Sequence, residues 1–252
     1  MTIQSVKRAT DIISLFSSSQ TSLGITQIAA ALGLNKATAW GIVTTLEKQG
    51  FLQQDPDTLK YGIGSKMFEL GMVYFGSLEI NAKASRLVQE LANRTGLVSR
   101  VGIWDSESIL ITLVALPKSE DSLSHQLGPR VPAYCSGIGK AVLSFLAPDE
   151  LERYLSSLDF IRHTRSTILT ADGLRKDLEE TRERGYAISC EEMIPGVAAF
   201  GAPVFSRTRR VVGGISIADA PANLLGKNKD GLAVDLVRTA VEISRSMGYY
   251  SN

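Results

Sequence analysis

The stretch from Thr26 to Tyr61 constrains the fold more tightly than any other. Thr26 is placed to cap a short helix carrying Ile28, Ala29 and Leu32, and Gly33 breaks it. Asn35 can then cap a further helix running to about Gln49, and Gly50 stands where a left-handed C-terminal residue belongs. Ahead of these, Val6, Ala9, Ile12, Ile13 and Phe16 fall at three- and four-residue spacing, which predicts a helix over 5–18, closed by the polar run 17–21. Behind them, Asp55-Pro56-Asp57 is a turn between two short alternating runs, a small hairpin. Three helices and a hairpin within residues 1–62 make a winged helix-turn-helix.

The helix after Asn35 divides into two faces. Ala39, Ile42, Val43 and Leu46 form an apolar stripe, and Lys36, Thr38, Trp40, Gly41, Thr44 and Lys48 lie outside it. An outward Trp among short polar residues suits a helix lying in a DNA major groove, where Thr reaches bases or phosphate and Lys reaches phosphate. The alternative is that Trp40 packs under the wing. Gly41 costs about 1 kcal/mol against Ala in a helix interior, which close approach of a partner would explain. Residues 1–62 carry Lys7, Arg8, Lys36, Lys48 and Lys60 against Asp11, Glu47, Asp55 and Asp57, a balance of 5 − 4 = +1. One copy would bind a polyanion poorly, so DNA binding implies paired copies.

Residues 63–79 read as a helix with Met67, Leu70, Gly71 and Tyr74 on one side, joining this module to residues 80–252. There a helix carrying Ala84, Leu87, Val88 and Leu91 leads into strands at 97–104, 108–116 and Leu123–Leu127. Helices follow at 137–146, 149–157 and 170–184. Strands at 186–189, 198–205 and 211–218 come next, and a helix at 232–247 closes the chain. Helices bracketing a mostly antiparallel sheet define an α+β domain.

Several enzymatic readings are excluded by residue type. Cys135-Ser-Gly-Ile-Gly-Lys-Ala141 imitates a phosphate loop, but Tyr134 stands at the first glycine position and Ala141 replaces the Ser or Thr. There is no Gly-x-Ser-x-Gly elbow. His125 and His163 lack zinc-site spacing, and no metal or cofactor is expected. Two cysteines, Cys135 and Cys190, cannot build a disulfide framework and fit a reducing cytosol. Each lies beside a Ser/Gly-rich loop, so a Cys-based redox sensor or enzyme is the second functional reading. A third is a ligand-binding module whose helix-turn-helix mediates only protein contacts. The N-terminus is no signal peptide, and no apolar run is long enough to span a bilayer, so a cytoplasmic chain without membrane contact is expected.

The chain resembles the IclR-type transcriptional regulators along nearly its whole length. The resemblance rests on Ser5-Val6-Lys7-Arg8-Ala9, Ile25-Thr26-Gln27-Ile28-Ala29, Leu32-Gly33-Leu34 and Leu46-Glu47-Lys48-Gln49-Gly50-Phe51-Leu52. It continues at Gly139-Lys140-Ala141, Arg184-Gly185-Tyr186-Ala187, Glu191-Glu192, Pro195-Gly196-Val197 and Ala202-Pro203-Val204. It implies a winged helix-turn-helix, a linker helix and a GAF-like domain binding a small-molecule effector. It also implies a homodimer or dimer of dimers on double-stranded operator DNA, more often repressing than activating. Carried over, effector contacts fall on the backbone at Ser136, Gly137, Ile138 and Gly139, and on Ser189 or Cys190, Ala199, Ser216 and Ala218. Family members for small acids such as glyoxylate often carry Asp, Cys and a second Ser among the side-chain positions, where this chain has Ser189-Cys190, Ala199 and Ala218. Fewer hydrogen-bonding groups imply a larger, apolar or aromatic catabolic effector, or an ester- or amide-like one. The family often has His-Arg or a similar pair where Trp40-Gly41 stands. That leaves Thr38, Trp40 and Thr44 as base readers and Lys36, Lys48 and Arg8 as phosphate contacts.

Overall fold

The computed structural model describes residues 2–118 and 128–250. It divides into two compact units, Met1–Ser77 and Leu78–Asn252.

The first unit contains α1 (Gln4–Ser14), α2 (Ile25–Ala31), α3 (Lys36–Lys48), the hairpin β1 (Leu52–Gln54) and β2 (Tyr61–Ile63), and α4 (Ser65–Ser77). Its core is small: Ile12 from α1, Ile28 from α2, Val43 and Leu46 from α3, and Leu52 and Tyr61 from the wing, with Leu23 beside them. Burying an aliphatic side chain of this size stabilises by about 1.5–3 kcal/mol, so these few residues set the angles between the helices. Asn35 caps α3 as the sequence indicates, its Oδ1 accepting the Thr38 N–H at 2.8 Å. Gly50 takes φ +76°, the left-handed conformation that lets the chain leave α3 and enter β1. The cap expected at Thr26 is displaced to Gly24, whose N–H donates to Gln27 Oε1 at 2.9 Å while Thr26 lies inside the first turn. The wing is tied to the segment before α2 where Leu23 and Tyr61 exchange backbone hydrogen bonds at 2.9 and 2.8 Å.

The second unit is a six-stranded antiparallel sheet in the order β5-β4-β3-β8-β7-β6. The strands are β3 (Val98–Asp105), β4 (Ser108–Ala115), β5 (Arg130–Pro132), β6 (Ala187–Cys190), β7 (Ala198–Phe205) and β8 (Val211–Asp219). On one face α5 (Glu79–Thr95) and α10 (Lys229–Ser246) pack against Val101, Phe200, Ile215 and Ile217. On the other lie α6 (Gly137–Leu143), α7 (Pro148–Ser157) and α8 (Ala171–Arg184), with Ile138, Val142, Leu155, Leu174 and Leu178 in a second core. A short helix, α9 (Pro221–Leu224), precedes α10.

β5 and α9 are not expected from the sequence, because three or four residues carry no readable period. The strand expected at Leu123–Leu127, like His125, lies outside the described residues. α6 approaches the sheet closely enough to exclude side chains: a Cβ on Gly201 would stand 2.1 Å from the Gly137 carbonyl oxygen. Gly137 serves this helix-on-sheet contact, a Cβ there standing 2.8 Å from the Ala199 carbonyl oxygen, whereas Gly139 packs against the backbone of Ala133, ahead of α6. No helix among the described residues is long and apolar enough to cross a membrane.

Candidate recognition helix and effector cavity

α3 buries Ala39, Val43 and Leu46 and turns its other side outward. Trp40 is 58% exposed, so it does not pack under the wing. Lys36, Gly41 and Lys48 are exposed with it, and nothing lies within 4 Å of where a Gly41 Cβ would stand. Thr44 is half-buried on the same side. Thr38 is also half-buried, and its N–H is held by the Asn35 cap. Arg8, on α1, is half-buried, whereas its neighbour Lys7 is engaged with Asp11 at 2.7 Å. The sequence reading missed Ala37 and Thr45, which are exposed on α3. The Thr45 hydroxyl donates to the Gly41 carbonyl at 2.8 Å. Helical spacing from Gly41 and Lys48 would have found both. The wing tip is acidic: Asp55 accepts the Asp57 and Thr58 N–H groups at 2.9 and 2.8 Å, which holds its carboxyl below the usual range.

In the second unit a cavity of about 50 Å³ opens between the sheet and α6. Ser136, Gly137 and Ile138 line it from the start of α6, with Ser189 from β6, Ala199 from β7, and Ser216 and Ala218 from β8. Cys190 does not line it. Pairing sets Cys190 opposite Ala198 and Ser189 opposite Ala199, and strand alternation sends successive side chains to opposite faces. Cys190 thus shares its face with Ala198, away from the cavity.

Two of the serines are already committed. The Ser136 hydroxyl donates to the Pro132 carbonyl at 2.7 Å and accepts the Gly139 N–H at 3.2 Å. Ser189 donates to the Cys135 carbonyl at 2.9 Å. The sequence reading missed the loop residues Met193, Ile194 and Val197, and it missed Arg100. Arg100 is 4% exposed, and burial lowers the pKa of its guanidinium. Its signal was legible: a cation in the middle of the otherwise strand-forming run Val98-Ser-Arg-Val-Gly-Ile-Trp104.

Beneath α6, Lys140 is fully buried, with Nζ 2.6 Å from Glu192 Oε1 and 3.0 Å from Asp177 Oδ2. It answers carboxylates, in accord with the rejected phosphate-loop reading. Burial pushes the Glu192 carboxyl up, against the pull of Lys140. The Cys135 thiol is buried and pushed up to about 12, chiefly by desolvation, and burial raises Cys190 as well. Thiolate is the reactive form, so neither site favours the redox reading. His163 stands beside Tyr134, ring centroids 6.1 Å apart.

A winged helix-turn-helix with an outward recognition helix, followed by an antiparallel-sheet unit with a small-molecule cavity, defines a DNA-binding regulator with an effector domain. Residues 5–56 match the IclR helix-turn-helix domain, and residues 72–245 match the bacterial transcriptional regulator IclR C-terminal domain. The chain belongs to the IclR family of transcriptional regulators. It is 32% identical to the HTH-type transcriptional regulator XynR of Escherichia coli over 98% of both chains. It is 31% identical to the glycerol operon regulatory protein of Streptomyces coelicolor over 98% of this chain and 97% of that one. The crystal structure of the Thermotoga maritima IclR superposes with a TM-score of 0.79 at 26% identity, covering 98% of this chain and 99% of that one. These relatives are transcriptional regulators, not enzymes.

Proposed function

We propose that this regulator is a cytoplasmic repressor acting as a homodimer or dimer of dimers, and that an effector with a largely apolar body controls its hold on operator DNA. The observation that carries the DNA-binding part is the exposed face of α3: a largely solvated Trp40 beside a bare Gly41, flanked by Lys36 and Lys48. Thr38, Trp40 and Thr44 read bases, and Lys36, Lys48 and Arg8 contact phosphates. Self-association is supported by α4, none of whose residues is buried: Phe68 and Val73 are each 72% exposed. The effector occupies the cavity bounded by Ser136–Ile138, Ser189, Ala199, Ser216 and Ala218. It shifts the regulator between two states by binding one more tightly than the other.

Capture of fragmented genomic DNA by the purified chain tests this reading. Wild type enriches palindromic sites, and the doubly substituted W40A/T44A chain does not. Equal enrichment by the variant would show that α3 is not the reader. A reporter downstream of a captured site rises on deletion of the regulator if it represses.

A further inference from the structure

Three consecutive residues ahead of α6 serve two different cavities. Cys135 and Ser136 line the cavity between the sheet and α6, whereas Tyr134 lines a second one, of about 330 Å³, that shares no lining residue with it. That volume falls in the range of small-molecule sites. The second cavity lies between the β3–β4 turn, the end of β5 and the C-terminal part of α7, and the chain after α7 closes it.

Its floor is aromatic and firmly packed. Tyr134 and Tyr154 are 3% and 4% exposed, and each meets a further ring edge-on, Phe160 and Trp104, with centroids 5.5 Å apart. Pro132, Leu158 and Ile161 supply an apolar wall. The Tyr134 hydroxyl is saturated: it donates to the Ile161 carbonyl at 2.7 Å and accepts the Ile161 N–H at 3.2 Å. The Tyr154 hydroxyl is not. The Tyr134 N–H lies near its oxygen, but nothing among the described residues accepts its proton. A buried phenol with an unused donor is costly, so the floor lacks an acceptor.

The rim is acidic. Glu107 and Asp159 are exposed, neither is ion-paired among the described residues, and no lysine or arginine lines the cavity. Burial is the main cause that pushes the Tyr154 and Tyr134 phenols up, and Glu107 adds to the push on the first and Asp159 on the second. Both carboxylates are therefore within electrostatic reach of the floor. Such a rim repels an anion and draws in a cation.

We propose that this cavity is a second ligand site, separate from the effector cavity, and that it takes an amine with a flat apolar body bearing one hydrogen-bond acceptor at the end remote from the nitrogen. The ammonium lies by Glu107 and Asp159, the body lies on the Tyr134 and Tyr154 rings, and the Tyr154 hydroxyl donates to the acceptor.

The test is calorimetric titration of the full-length chain at low ionic strength with three probes. Tyramine has both ends, phenethylamine lacks the acceptor, and 4-hydroxyphenylethanol lacks the charge. Wild type binds tyramine about fivefold more tightly than phenethylamine and about tenfold more tightly than the alcohol. Y154F keeps the ring and removes the donor, so it erases the first ratio and leaves the second. E107Q/D159N erases the second and leaves the first. Both variants conserve side-chain volume, one at an unpartnered hydroxyl and the other at an exposed rim, and unchanged thermal melts confirm that they fold. A wild type that does not bind tyramine, or binds it no more tightly than the other two probes, overturns the ligand class. Tyramine affinity unchanged in both variants places its binding elsewhere and overturns the site.

Discussion

Lys140 is an ammonium with no solvent exposure, held between Glu192 and Asp177. Its partner Glu192 opens the loop that carries Met193, Ile194 and Val197 into the cavity wall. That loop is also fastened by Thr164 and Thr167, whose hydroxyls donate to the Glu191 and Glu192 carbonyls at 2.5 and 2.7 Å. Removing one member of a buried pair is worse than removing both, because a lone charge is left desolvated. K140M should therefore cost about 3–5 kcal/mol in urea unfolding, and K140M/E192M less than the sum of the single substitutions. The pH dependence has a definite sign. A carboxyl whose folded pKa lies above its unfolded value costs stability at neutral pH, and this cost disappears as pH falls through the folded pKa. Without Lys140 that elevation grows, so the deficit of K140M should narrow on acidification from pH 7 toward pH 5. At Cys135, a thiol pushed up to about 12 is thiolate in only about one molecule in ten thousand at pH 8. Alkylation of the native protein should mark Cys190 slowly and leave Cys135 intact until the chain is unfolded.

At the scale of elements, α3 combines a good cap with a poor interior residue. Asn35→Ala should lower the stability of the first unit by about 1 kcal/mol through loss of the Thr38 N–H acceptor. Gly41→Ala should do the opposite, stabilising α3 by about 0.5–1 kcal/mol, since the added methyl meets nothing within 4 Å. If DNA lies against this face, the same methyl weakens operator binding, and a melt together with a binding isotherm shows the trade. On the sheet, Gly201→Ala sets a Cβ against the Gly137 carbonyl and should cost about 1–3 kcal/mol while distorting the cavity rim. Most of these elements were legible. Apolar spacing located α1, α3, α5 and α10, and Asn35 and Gly50 marked both ends of α3. Short elements were not: β5 has three residues and α9 four, too few for a period, and the α2 cap moved because Gln27 Oε1 reaches the Gly24 N–H. The cavity was legible by family resemblance at Ser136–Ile138, Ser189, Ala199, Ser216 and Ala218. Cys190 was misplaced because the resemblance left it interchangeable with Ser189, and only strand register separates their faces. Arg100 stood out as a cation in a strand-forming run, but its place in the cavity was not legible, because only the β3–β8 pairing brings it to Ser216.

For the whole molecule the governing quantity is charge. With 27 Lys and Arg against 26 Asp and Glu, the chain has no net field with which to hold a polyanion. The acidic turn Asp55-Pro56-Asp57 argues further against a wing lying on phosphates. On the proposed reading, affinity comes from a few placed cations repeated by symmetry: Arg8, Lys36 and Lys48, six contacts if the regulator binds as a dimer. Each neutralised phosphate contributes about −0.9 to the slope of log Kobs against log salt, so the wild-type slope should be about −5. Lys48→Ala removes two contacts from a two-fold complex and should make the slope shallower by about 2, nearly uniformly across DNA sequences. Thr44→Ala should weaken the preferred site at an unchanged slope, because a base contact releases no counterion. A change of only about 1 for Lys48→Ala would mean that a single copy of α3 engages the DNA. The apolar surface of α4 would then need another explanation than pairing.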